Sequence, residues 1–106
     1  MHTIINDKRI KIITFNTFFK KGKGLMFRKT PIKDIYMFKK CSSIHTFFMF
    51  QNIDVCILDK DYKIIYLKEN MKKNRILVKK GYYTLEMPLE TSKYLKVGDK
   101  FEIKTK

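Results

Sequence analysis

A chain of 106 residues with 44% apolar and 14% aromatic residues carries enough apolar surface for one core and lies outside the composition of disordered chains. Its 24 basic and 10 acidic residues give a net charge of +14, but only Arg9, Arg28 and Arg75 are arginine, so a solvated basic surface is expected over a nucleic-acid site, which favours the planar guanidinium. No run approaches the roughly 20 apolar residues of a membrane span, and Asp7, Lys8, Arg9 and Lys11 interrupt any signal-peptide core, which points to one cytoplasmic domain over residues 1–106.

Arg9 to Phe15 is rich in β-branched residues and predicts a first strand. Phe18 to Met26, rich in lysine and carrying Gly22 and Gly24, predicts a turn or one short helix. Asp34 to Phe38, Thr46 to Phe50 and Ile53 to Leu58 are aromatic or β-branched runs of strand length, and the last is apolar on both faces, as a covered central strand is. The polar tetrad Asp59 to Tyr62 predicts a hairpin joining Ile53–Leu58 to an antiparallel strand at Lys63 to Leu67. Further strands are predicted at Ile76 to Val78, Tyr82 to Met87 and Lys100 to Lys104, with a short helix in Glu90 to Val97 that Gly98 stops. Short turns with little helix between the strands predict an all-β, mainly antiparallel domain: a compact β-sandwich or small barrel with one or two short helices.

Gly24-Leu25-Met26-Phe27-Arg28, Cys41 to Phe50, Ile53-Asp54-Val55 and Leu58-Asp59-Lys60-Asp61-Tyr62 follow one another in an order that resembles domain-of-unknown-function family 192, also called uncharacterised protein family 0127. The resemblance covers roughly residues 10 to 104 and includes the closing Leu85-Glu86-Met87-Pro88 and Gly98-Asp99. It implies a mostly antiparallel β domain and carries no established activity. Where many members have a Trp-Met-Lys-Asn-Thr stretch, this chain has Phe48-Met49-Phe50-Gln51-Asn52. With Ile44-His45-Thr46 before it, this variant resembles a clostridial branch, and no role of that Trp or Lys transfers.

Asp54 stands among apolar neighbours, where a buried carboxylate must be paired or accept several hydrogen bonds. Arg28 is the expected partner, through two parallel guanidinium bonds, either as a structural pair or as part of a ligand site. On Tyr82 to Met87, Tyr83, Leu85 and Met87 share one face and leave Glu86 on a polar face with Tyr82 and Thr84. There Glu86 is expected either to pair with a surface lysine or to share a cleft with Asp54. Cys41 and His45, four residues apart, offer a nucleophile and a base for a hydrolase-like enzyme, but no motif supplies the orienting group or oxyanion site. The bland alternative makes Cys41 a small apolar residue and hydrogen-bonds His45 at a strand entrance. Cys41, His45 and Cys56 lack the paired spacing of a metal site, so no metal or cofactor is expected, and both cysteines are expected as thiols.

These residues predict a non-catalytic binding or accessory module with a polar cleft near Arg28, His45, Asp54 and Glu86. Its partner would be a small molecule or a protein, with catalysis and polyanion binding as alternatives. Aromatic residues of Phe47 to Phe50 and Met26-Phe27 are assigned to the core.

Overall fold

The computed structural model describes residues 1–15, 31–39, 43–45, 51–72, 76–78 and 81–105. Asn6 and Asp7, at φ +52° and +62°, form a two-residue turn that folds β1 (His2–Ile5) antiparallel onto β2 (Lys8–Phe15). Asn and Asp tolerate this left-handed backbone, and its twist matches that of the flanking strands. The first predicted strand is therefore the second strand of a hairpin. Downstream come β3 (Ile35–Lys39), β4 (Ser43–His45), β5 (Ile53–Leu58), β6 (Ile64–Met71), β7 (Ile76–Val78), β8 (Tyr83–Met87) and a 3₁₀ turn at Ser92–Tyr94. The helix or turn expected over Phe18 to Met26 and the strand expected over Thr46 to Phe50 lie outside the described residues.

Six strands form one sheet in the order β1-β2-β3-β8-β5-β6, and β4 pairs separately with β7. The domain is all-β and mainly antiparallel, with one exception. β2 and β3 run parallel, Ile12 opposite Ile35, which requires a crossover rather than a tight turn between them. The expectation of short turns without crossovers fails at this junction, where 19 residues, 16–34, separate the strands.

The hairpin at Asp59–Tyr62 forms as the sequence predicts. Asp59 Oδ1 accepts from the backbone N–H groups of Asp61 and Lys63, both at 2.9 Å, the local bonding that suits Asp to turns. Tyr62 stacks on Tyr83 with ring centroids 4.9 Å apart, and their hydroxyls meet at 3.3 Å. That bond, with burial, pushes the Tyr83 hydroxyl pKa up to about 12. Gly81 is required for a different reason: a Cβ there would sit 2.1 Å from Cγ2 of Ile57, so only glycine admits this approach over β5.

Alternation along β5 and β8 divides the core between the two faces of the sheet. Cys56, Leu58, Tyr83, Leu85 and Met87 join Ile12, Ile35 and Met37 on one face. Val55 and Ile57 join Tyr36, Phe38, Ile53 and Met71 in the second cluster. β5 is buried at every position, as expected for a central, covered strand.

The sheet does not close into a barrel by direct pairing of its edge strands, since β1 and β6 are not neighbours. The strand expected at Lys100 to Lys104 is instead an extended clasp between those edges, with bridges from Lys100 to Lys63 and from Lys104 to His2. Its backbone bonds run from Phe101 N to Tyr62 O at 2.7 Å and, reciprocally, between His2 and Lys104 at 2.8 Å. Gly98 turns the chain into it at φ +100°, and Phe101 plugs the first cluster with 2% of its surface exposed. Truncating Phe101 to alanine removes this plug. Phe101→Ala is expected to lower unfolding stability by about 3–5 kcal/mol, read as a lower urea midpoint; a loss below about 1 kcal/mol would exclude the clasp from the core.

Candidate functional site

Asp54 is completely buried on β5, opposite Met87 of β8. Its carboxylate accepts three hydrogen bonds: from Asn70 N–H at 2.8 Å, from Ser92 N–H at 2.9 Å and from the Ser92 hydroxyl at 2.7 Å. Each bond has a local structural cause. Between the pairs Ile53–Met71 and Val55–Lys68 the register of β6 slips by one residue, so Glu69 and Asn70 together oppose Asp54 in a β-bulge. Asn70 sits at φ +51°, and the bulge withdraws its N–H from the ladder. Asp54 takes up that N–H.

The two Ser92 bonds hold the segment that follows β8. Glu90 adopts φ +71°, a left-handed conformation that costs a non-glycine residue about 1–2 kcal/mol, and this reverses the chain into the 3₁₀ turn at Ser92–Tyr94. Asp54 thus ties β5, the β6 bulge and this cap together. Three donors aimed at one carboxylate offset the loss of hydration that its burial entails.

Glu86 is also buried, at 5% exposure, but its register neighbours are Tyr36 and Val55, members of the second cluster. Asp54 pairs with Met87, whose side chain belongs to the first. The two carboxylates therefore face opposite sides of the sheet, and the cleft expected to join them does not form. The other face of β8 is not a polar surface either, since Thr84 and Glu86 are both buried. His45 lies on β4 opposite Ile76. Arg28 and Cys41 lie outside the described residues.

Cys56 is a free thiol in the middle of β5, and burial pushes its pKa up to about 12. The thiolate is both the nucleophile and the metal ligand, so this position suits neither role. Among the described residues no group of three His, Cys, Asp or Glu side chains is placed to hold a metal ion.

Two hollows flank the cap. The smaller, about 360 Å³, is lined by Asp54, Glu69, Asn70, Leu89 and Glu90. The larger is an open groove of about 570 Å³ between the β1–β2 hairpin and Pro88–Tyr94, and four basic side chains line it: Lys8, Arg9, Lys33 and Lys93. Among the described residues Glu90 is its one acidic residue, 4.0 Å from Lys93. No described acid pairs with Lys8, Arg9 or Lys33. The sequence reading missed this groove because its walls come from chain segments about 80 residues apart; the Asn6-Asp7 turn signal, which places Lys8 and Arg9 just past a hairpin tip, was its one legible sign.

The DUF192 family model, described as uncharacterized ACR, matches residues 1–103. The chain belongs to this family. DUF192 relatives include a UPF0127 protein from Thermococcus sibiricus, 36% identical over 105 residues, covering 89% of this chain and 65% of the relative. A UPF0127 protein of Pyrococcus horikoshii is 30% identical over 95 residues, covering 82% of each chain. The chain thus spans just under two thirds of the Thermococcus relative's length. The fold is shared with a protein of unknown function from Novosphingobium aromaticivorans, at TM-score 0.78 and 18% identity, covering 96% of this chain and 82% of that one. It is also shared with a putative transcription regulator from Sinorhizobium meliloti, at TM-score 0.79 and 18% identity, covering 95% and 89%. These likenesses give the chain its DUF192 family and its fold.

Asp54→Ala leaves two N–H groups and one hydroxyl without their acceptor and is expected to destabilise the domain by about 3–5 kcal/mol, against about 2 kcal/mol for Ser92→Ala, which removes one bond. Urea unfolding of both variants checks the order; equal, small losses would show that the carboxylate is not the tie.

Proposed function

We propose that this domain is a non-catalytic binding or accessory module of the cytoplasm that takes an anionic ligand in the groove between the β1–β2 hairpin and the Pro88–Tyr94 cap. The observation that carries this reading is the charge of the groove. Among the described residues four cations face one carboxylate there, and that carboxylate is already engaged by Lys93. Like charges gathered within a Debye length of about 10 Å raise a local positive potential that attracts an anion. A volume of about 570 Å³ falls within the roughly 300–1,000 Å³ of small-molecule sites.

Asp54 supports this reading from behind the groove. It touches Ser92, and the neighbouring Thr91, Lys93 and Tyr94 line the groove, so the buried carboxylate fixes the position of one wall. Its role is positional. The four-residue cleft of Arg28, His45, Asp54 and Glu86 is set aside as the ligand site, because Asp54 and Glu86 face opposite sides of the sheet.

Calorimetric titration of the purified domain with inorganic pyrophosphate at low salt tests the reading. Replacing both Lys8 and Arg9 with glutamine is expected to weaken binding by roughly tenfold or more, with little change in stability because both side chains are exposed. Unchanged affinity in that variant would move the anion site elsewhere.

A further inference from the structure

The walls of the groove differ in chemistry, and that difference specifies more than a charge. Lys8 and Arg9 stand on the hairpin wall, and Lys33 also lines the groove. The cap supplies Leu89 and Tyr94, which keep 47% and 49% of their surfaces exposed although both are large and apolar. Singly exposed apolar residues are common on protein surfaces; here both line a concave, cationic site. The Lys93 ammonium stands 5.3 Å from the centre of the Tyr94 ring, placing a cation against the aromatic face. Asp54 holds Ser92 one residue before this pair, so the aromatic wall is fixed to the core rather than carried on a free loop.

A simple inorganic anion would use only the cationic side. A ligand complementary to both sides carries a flat aromatic group and a multiply charged anionic group, joined closely enough to fit one groove of about 570 Å³. We infer that the groove takes a small aromatic organic phosphate of the nucleoside-diphosphate kind, its ring against Tyr94 and Leu89 and its phosphates among Lys8, Arg9 and Lys33. This inference rests on the groove being the anion site proposed above. A polymeric nucleic acid fits the observations less well, because single-strand binders track a backbone along a positive groove with a succession of stacking aromatics, and among the described residues Tyr94 is the one aromatic that lines this groove.

Titration of the domain with ADP, pyrophosphate, adenosine and a single-stranded DNA 12-mer, in metal-free buffer at two salt concentrations, tests the inference. ADP is expected to bind roughly tenfold more tightly than pyrophosphate, the gain of one stacked base. Tyr94→Ala should reduce ADP to the affinity of pyrophosphate and Tyr94→Phe should restore it, while Lys8→Gln/Arg9→Gln weakens both. ADP binding no tighter than pyrophosphate, or indifferent to Tyr94→Ala, would overturn the aromatic assignment and leave the anion groove standing. Tighter binding of the 12-mer than of ADP, falling steeply with salt, would overturn it in favour of a polymer. Absence of binding by all four, or affinities indifferent to the Lys8 and Arg9 changes, would remove the groove reading itself and this inference with it.

Discussion

The carboxylate of Asp54 is the point at which the central strand, a bulge and a cap are fastened together. Burying a carboxylate in the middle of a β-strand is unfavourable unless hydrogen bonds offset the loss of hydration, and Asp54 accepts three. Their donors come from sequence positions 70 and 92, so a single side chain fixes the relative placement of β5, the outer strand β6 and the segment after β8. An apolar residue at 54 would fill the space and satisfy none of these donors. The bulge at Asn70 and the left-handed turn at Glu90 are irregularities that would be unfavourable alone; the shared acceptor makes them compatible with the sheet.

That fastening also shapes the surface. With Ser92 held, the short cap from Pro88 to Tyr94 stands against the β1–β2 hairpin, and the basic groove lies between them. The C-terminal clasp acts at the sheet edges in a comparable way, joining β6 to β1 through backbone bonds and the buried Phe101. A sheet of six strands whose edges do not pair directly leaves open edges exposed to association; the clasp covers part of both. Structure and charge thus meet at the hairpin, whose β1 strand is held by the clasp and whose Lys8 and Arg9 line the groove.

Much of this architecture was legible in the residues. Ile53-Asp54-Val55-Cys56-Ile57-Leu58 reads as a covered central strand and is one, because a run apolar on both faces has few other stable places. The Asp59–Tyr62 hairpin and the Gly98 turn followed from local chemistry that needs no tertiary context. Asp54 was legible as a buried carboxylate in need of partners, but the partners were not. Backbone N–H groups freed by a bulge and a 3₁₀ turn leave no mark in the side-chain sequence, and Ser92 is an ordinary turn residue until the fold brings it to β5. The parallel β2–β3 pairing was missed because strand order is a non-local property. Assigning Glu86 and Asp54 to one cleft failed because the alternation was read within each strand, without the register that sets one strand's faces against another's.

Amide hydrogen exchange at Ser92 in the native domain tests the fastening most directly. Ser92 belongs to a three-residue turn, and its N–H is bonded to Asp54 rather than to a strand or helix ladder. The account predicts slow exchange there, comparable to the core strands β5 and β8 and far slower than at Lys96 in the loop beyond. Exchange at Ser92 as fast as at Lys96 would contradict it, because the cap would then open without disturbing the sheet and Asp54 would not be what holds the groove.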